Sequence, residues 1–121
     1  MPKRESPVYF ANLRSTQERN LFDKISGLLK AAGLQAMFKK GHLVAVKLHF
    51  GEKGNTSYIR PVFAGHVVKE IKETGAMPFI TDTNTLYVGA RTNSASHIRC
   101  AIENGFDYAV IRAPIIIADG L

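Results

Sequence analysis

Residues 42–50, HLVAVKLHF, constrain the fold more than any other stretch of the chain. Leu43, Val44, Ala45, Val46 and Leu48 form a nearly continuous apolar run instead of an alternating one. Such a run suits a strand covered on both faces, as in a parallel sheet. It leads directly into HFGEKGNTSYIRP, residues 49–61, where His49, Glu52, Lys53, Asn55, Thr56 and Arg60 gather around Gly51 and Gly54. A buried strand with a polar mouth is the pattern of a binding edge.

The rest of the chain fits around that strand as alternating elements. Residues 7–11, VYFAN, read as a short strand. Residues 15–18, STQE, have capping-box spacing, so Ser15 is expected to cap the following helix with Glu18 reaching back. Leu21, Phe22, Ile25, Leu28, Leu29 and Ala32 give that helix one apolar face, and Gly33 ends it. Pro61 favours a helix first turn, with Phe63, Ala64, Val67, Val68 and Ile71 inward and Gly75 as the stop. Residues 77–81, MPFIT, form a further strand with Pro78 near its start. A third helix over 94–104 puts Ala95, Ile98, Ala101 and Ile102 inward and stops at Gly105. Residues 108–112 read as another strand, and 114–118, PIIIA, are apolar before the turn signal Asp119-Gly120.

The resulting β-α-β-α-β-α-β order predicts an α/β fold, a three-layer, mostly parallel sheet with right-handed crossovers. One domain spans residues 1–121. The apolar terminal segment suggests a fragment of a larger α/β domain, truncated at the C-terminus, and a possible homodimer through edge pairing.

Composition narrows the function classes. The single cysteine, Cys100, excludes an internal disulfide and fits a cytoplasmic setting. No apolar run has the length of a membrane span. The net charge of +6 favours anionic partners. Lysines and arginines are spread from Lys3 to Arg112, and no dense basic run argues for nucleic acid.

In open α/β sheets, ligands bind beyond the carboxyl ends of the strands. Two loops qualify, residues 51–58 and 82–93, and the expectation is that they meet. Lys53, Arg60 and Arg91 are then anion clamps, and Asn55, Thr56, Asn84, Thr85 and Tyr87 are ligand-binding groups. Gly51 and Gly54 turn backbone amides toward the ligand. His49 and Asp82 are the candidate catalytic pair, Asp82 orienting a base or binding a metal. Glu52 is a ligand group that serves as general acid or base if burial raises its pKa. His97, in the first turn after the second loop, either faces the site or packs. His66 reads as packed or superficial, and Cys100 as a small core residue. The bland alternative is that these loops only make turns and caps.

Taken together, VAVKLHFGEKGNTSYIRP, PFITDTNTLYVGARTNSASH and IIIADGL resemble the domain-of-unknown-function 362 family over most of residues 7–121. That family is often described as iron–sulfur-associated. The resemblance implies a parent with a ferredoxin-like Cys-x-x-Cys-x-x-Cys segment and a 4Fe-4S cluster, for which this chain has no ligands. Distant similarity to the amino-terminal part of lactate-racemase-like proteins points to small hydroxy acids. The functional expectations are therefore a domain binding a small anionic metabolite or metal, a redox accessory docking an acidic partner, or a non-catalytic interaction module.

Overall fold

The computed structural model describes residues 5–119. The elements run α1 (Leu21–Ala31), α2 (Leu34–Met37), β1 (Leu43–Lys47), α3 (Pro61–Glu73), β2 (Met77–Thr81), α4 (Ser94–Glu103) and α5 (Tyr108–Ile111). β1 and β2 pair in parallel, Leu43 opposite Met77 and Lys47 opposite Thr81. A parallel pair needs a long crossover, and α3 supplies it. Residues 114–116 lie along the far side of β2. Ile115 bridges Ile80 in parallel, the Ile80 amide donates to Pro114 O at 3.0 Å, and the Ile116 amide donates to Ile80 O at 3.0 Å. Helices alternating with a small parallel sheet make this an α/β fold.

The helix signals explain most boundaries. Pro61 stands at the start of α3, where its missing N–H costs nothing. Asn93 caps α4 by accepting from the Ser96 amide at 3.0 Å. The capping box of α1 is Asn20 with Asp23, not Ser15 with Glu18. Asn20 directly precedes the apolar face. The earlier stretch forms a local turn in which Thr16 Oγ1 accepts from the Arg19 amide at 3.1 Å.

The main core gathers Phe50, Ala64, Val68, Ile80, Ala101, Phe106, Ile111 and Ala113. A smaller cluster of Val44, Ile71 and Ala76 adjoins the start of β1. Strand residues of one parity, Val44, Val46, Pro78 and Ile80, are buried or partly buried, and Val44, Val46 and Ile80 belong to these clusters.

The other parity corrects an expectation. Leu43 is 74 % exposed and Met77 54 %. Among the described residues, β1 is covered on one face, although its apolar run reads as a strand buried on both.

Two expected strands also differ. Residues 7–11 form no strand and are largely exposed. Residues 108–111 are the helical turn α5, because Asp107 caps it by accepting from the Val110 amide at 3.0 Å. Arg112 leaves that turn in the left-handed region, φ 62°. The described residues thus carry two strands and one bridge in place of the four-strand alternation.

Candidate functional site

The loops after β1 and β2 meet. Their junction is Arg91, 5 % exposed. Its Nε donates to Glu52 Oε2 at 3.0 Å, Nη1 to Asp82 Oδ2 at 3.3 Å, and Nη2 to the Tyr87 hydroxyl at 2.7 Å. The Tyr87 hydroxyl donates in turn to Glu52 Oε2 at 2.7 Å. A guanidinium suits this role because its planar fork addresses several acceptors at once.

Asp82 directly follows β2, beside the end of β1. Its Oδ1 accepts from Lys47 Nζ at 2.9 Å and from the Thr83 amide at 2.9 Å. Its Oδ2 is shared with Arg91 and stands 3.7 Å from His97 Nε2. His97 is fully buried. Its Nδ1 meets Asn84 Oδ1 at 3.0 Å; in the neutral ring, donation from Nδ1 to that oxygen leaves the lone pair on Nε2. Among the described residues, Nε2 of His97 and Oε1 of Glu52 are buried without a hydrogen-bond partner.

Several expectations change here. Arg91 is engaged by two carboxylates of its own chain, a structural role beside the expected one of anion clamp. Glu52 does not have a raised pKa. The Tyr87 hydrogen bond lowers it, and Arg91 adds to that against the opposing effect of burial. Burial, helped by the Arg91 charge, pushes the His97 pKa down against the pull of Asp82. Burial likewise raises the Cys100 thiol pKa, as expected of a core thiol.

His49 is exposed two residues beyond the end of β1. Its Nδ1 accepts from the Gly51 amide at 2.9 Å. That amide is therefore directed at His49, and with Nδ1 accepting, the ring hydrogen of a neutral His49 sits on Nε2, which has no partner among the described residues. Gly51 has φ 81°. A Cβ there would overlap the Tyr58 ring and approach Asn104 Nδ2 to 2.8 Å.

An open cleft of about 710 Å³ lies at this edge, lined by Lys47, Leu48, His49, Asn55, Ser57, Tyr58 and Ile59. Lys53 lines a separate polar crevice of about 330 Å³ with Ser96, Arg99, Cys100 and Glu103. Arg60 is the exposed N-cap residue of α3 and makes no side-chain cap bond. Thr56 is exposed, and Thr85 Oγ1 donates to Tyr87 O at 3.0 Å within its own loop.

Sequence reasoning passed over Lys47 and Ser57 as site groups. Lys47 was legible, because it shares strand parity with His49 and so faces the same edge. His66 proves to be partly buried, between Ser26 Oγ at 2.7 Å and Glu70.

Among the described residues no group of three or more His, Cys, Asp or Glu side chains is placed to hold a metal ion. Asp82 instead anchors Lys47 and Arg91. No helix of the described chain is long and apolar enough to cross a membrane.

A family model described as Domain of unknown function (DUF362) matches residues 44–121, from the second residue of β1 through both loops. The chain belongs to the DUF362 family. No curated protein and no solved structure matches it. The DUF362 match covers the Lys47–Asp82–Arg91–Glu52 network whole, while α1 and the segment before it lie outside. The family description names no substrate, cofactor or reaction, so the chemistry of this DUF362 domain has to be argued from its geometry.

Proposed function

We propose that this DUF362 domain binds a small anionic metabolite in the cleft at the C-terminal edge of its parallel strands. The observation that carries the reading is the lining itself. Among the described residues, Lys47 and His49 are its ionisable groups apart from the Tyr58 phenol, and no carboxylate lines it. Lys47 keeps donor capacity because Asp82 Oδ1 occupies one side of its ammonium. Asn55 accepts from the Ser57 amide at 2.6 Å through Oδ1, which leaves its amide hydrogens free. His49 adds a further donor.

In this reading the buried Arg91 network is a frame. It joins the two loops and, through Asp82, fixes the Lys47 ammonium at the mouth of the cleft. His49 is the group suited to proton transfer, since it is exposed and next to the cleft. Asp82 acts through Lys47 and is a positioning residue. An electron-transfer accessory role would draw cluster ligands from other sequence, since Cys100 is the only cysteine of the chain. No feature of the geometry favours it over anion binding.

Thermal denaturation with inorganic phosphate and a panel of small mono- and dicarboxylates, at fixed ionic strength, tests the proposal. A bound ligand stabilises by mass action, about 2.7 kcal/mol at a hundredfold excess over Kd. At least one anion should raise Tm by several degrees. Lys47→Ala and Asn55→Ala should abolish that rise, and Lys53→Ala should leave it. A panel in which no anion raises Tm overturns the reading. So does an effect lost in Lys53→Ala and kept in Lys47→Ala.

A further inference from the structure

The outer edge of β1 and the segment before α1 are matched in a way that the anion reading does not use. The Met77 amide donates to His42 O at 2.7 Å, and the Leu48 amide donates to Thr81 O at 3.1 Å. Even-numbered residues of β1 therefore face β2. By strand geometry, the backbone groups of Leu43, Ala45 and Lys47 point to the opposite edge. Among the described residues, nothing outside the strand pair bonds to them. An open edge of this kind is a template for another strand.

Beside that edge runs an apolar groove of about 340 Å³, lined by Ile25, Val46, Leu48, Ile59, Phe63 and Val67 among others. Ile25 and Phe63 also line a smaller crevice of about 180 Å³, whose other wall includes Ala11, Asn12 and Leu13. The root of the N-terminal arm thus sits where the groove opens. Lys24 Nζ holds it there, donating to Asn12 O at 3.0 Å, to Asn12 Oδ1 at 2.6 Å, and to Arg14 O. The arm beyond that anchor exposes Val8 by 91 % and Phe10 by 86 %, in the segment that reads as a strand by sequence.

We propose that residues 7–11 close onto the free edge of β1 as a third parallel strand, a strap hinged at Asn12. The linking chain contains α1 and exceeds the dozen or so residues that a parallel crossover needs. Ala11 is already half-buried and Tyr9 is less exposed than its neighbours. That parity enters the groove, while Val8 and Phe10 join Leu43 and Ala45 on the bare face. The strap ends at the same sheet edge as the cleft, but its closure requires no ligand and does not depend on anion binding.

Amide hydrogen exchange of the full chain, read residue by residue by NMR, tests this. The amides of Leu43, Ala45 and Lys47 should be protected in the unaltered protein. A proline cannot donate to a ladder, and neighbouring strand residues point opposite ways, so one of Tyr9→Pro and Phe10→Pro must remove a strap bond. At least one of the two should speed exchange at those amides about tenfold or more, with Val46 and Leu48 still protected as a sign of intact folding. Edge amides as fast in the unaltered protein as in both variants overturn the strap. Protection that grows with protein concentration also overturns it, assigning the edge to the arm of a second copy.

Discussion

Arg91 and Glu52, 39 residues apart in the chain, are joined at 3.0 Å by Nε and Oε2. This contact ties the loop after β2 to the loop after β1. Because Arg91 also holds Asp82 and Tyr87, one buried guanidinium organises both sides of the sheet edge. Removing one partner of a buried ion pair leaves the other uncompensated, typically at about 3–5 kcal/mol. Arg91→Ala should reach that range in urea denaturation, since Asp82 is itself buried. Arg91→Lys should recover part of the loss, because an ammonium lacks the fork that reaches three partners. An Arg91→Ala chain as stable as the unaltered one contradicts the frame.

Glu52 titrates below the ordinary carboxylate value of 4.5 in the folded chain. A depressed folded pKa contributes stability that is present above the unfolded value and lost as pH falls through the folded one. The loss attributable to Glu52 therefore begins near pH 4.5 and continues below it. Glu52→Gln should flatten the acid limb of a Tm–pH curve in that window and leave its slope at pH 7 to 8 unchanged.

His97 behaves in the same sense at higher pH. Its folded pKa lies below the ordinary 6.5, so the unfolded chain takes up the proton first. Stability is present above about pH 6.5 and declines as pH falls toward the folded pKa. An NMR titration should place the His97 midpoint below 6.5. A midpoint above 6.5 would mean that Asp82 outweighs burial and the Arg91 charge.

Gly51→Ala should destabilise by about 1–3 kcal/mol in urea denaturation, the range for backbone strain at such positions. The φ of 81° disfavours an L side chain, and the added methyl meets Tyr58 and Asn104. Gly54 has the same φ with open space around it. Gly54→Ala should cost less, and the difference isolates the steric part.

The sequence made local punctuation legible. Pro61 and the glycine stops mark chemistry that acts within a few residues, and they fall where expected. The meeting of the two loops was legible too, because parallel strands place their following loops on one edge. What was not legible had two sources, partners distant in sequence and rival local signals. Arg91 looks like any loop arginine until Glu52 and Asp82 are seen to enclose it. Ser15-to-Glu18 and Asn20-to-Asp23 share one spacing, and adjacency to Leu21 decides between them. Tyr108, Val110 and Ile111 have strand-like side chains, yet Asp107 just ahead of them carries the cap signal that favours a turn of helix.

The most direct test of the anion cleft is an NMR titration of the uniformly labelled chain with inorganic phosphate and with small carboxylates. The account predicts saturable shifts confined to the amides of residues 47–49 and 55–59, lost in Lys47→Ala. Shifts centred on Lys53 and Arg99, or none that saturate for any anion tried, would contradict it.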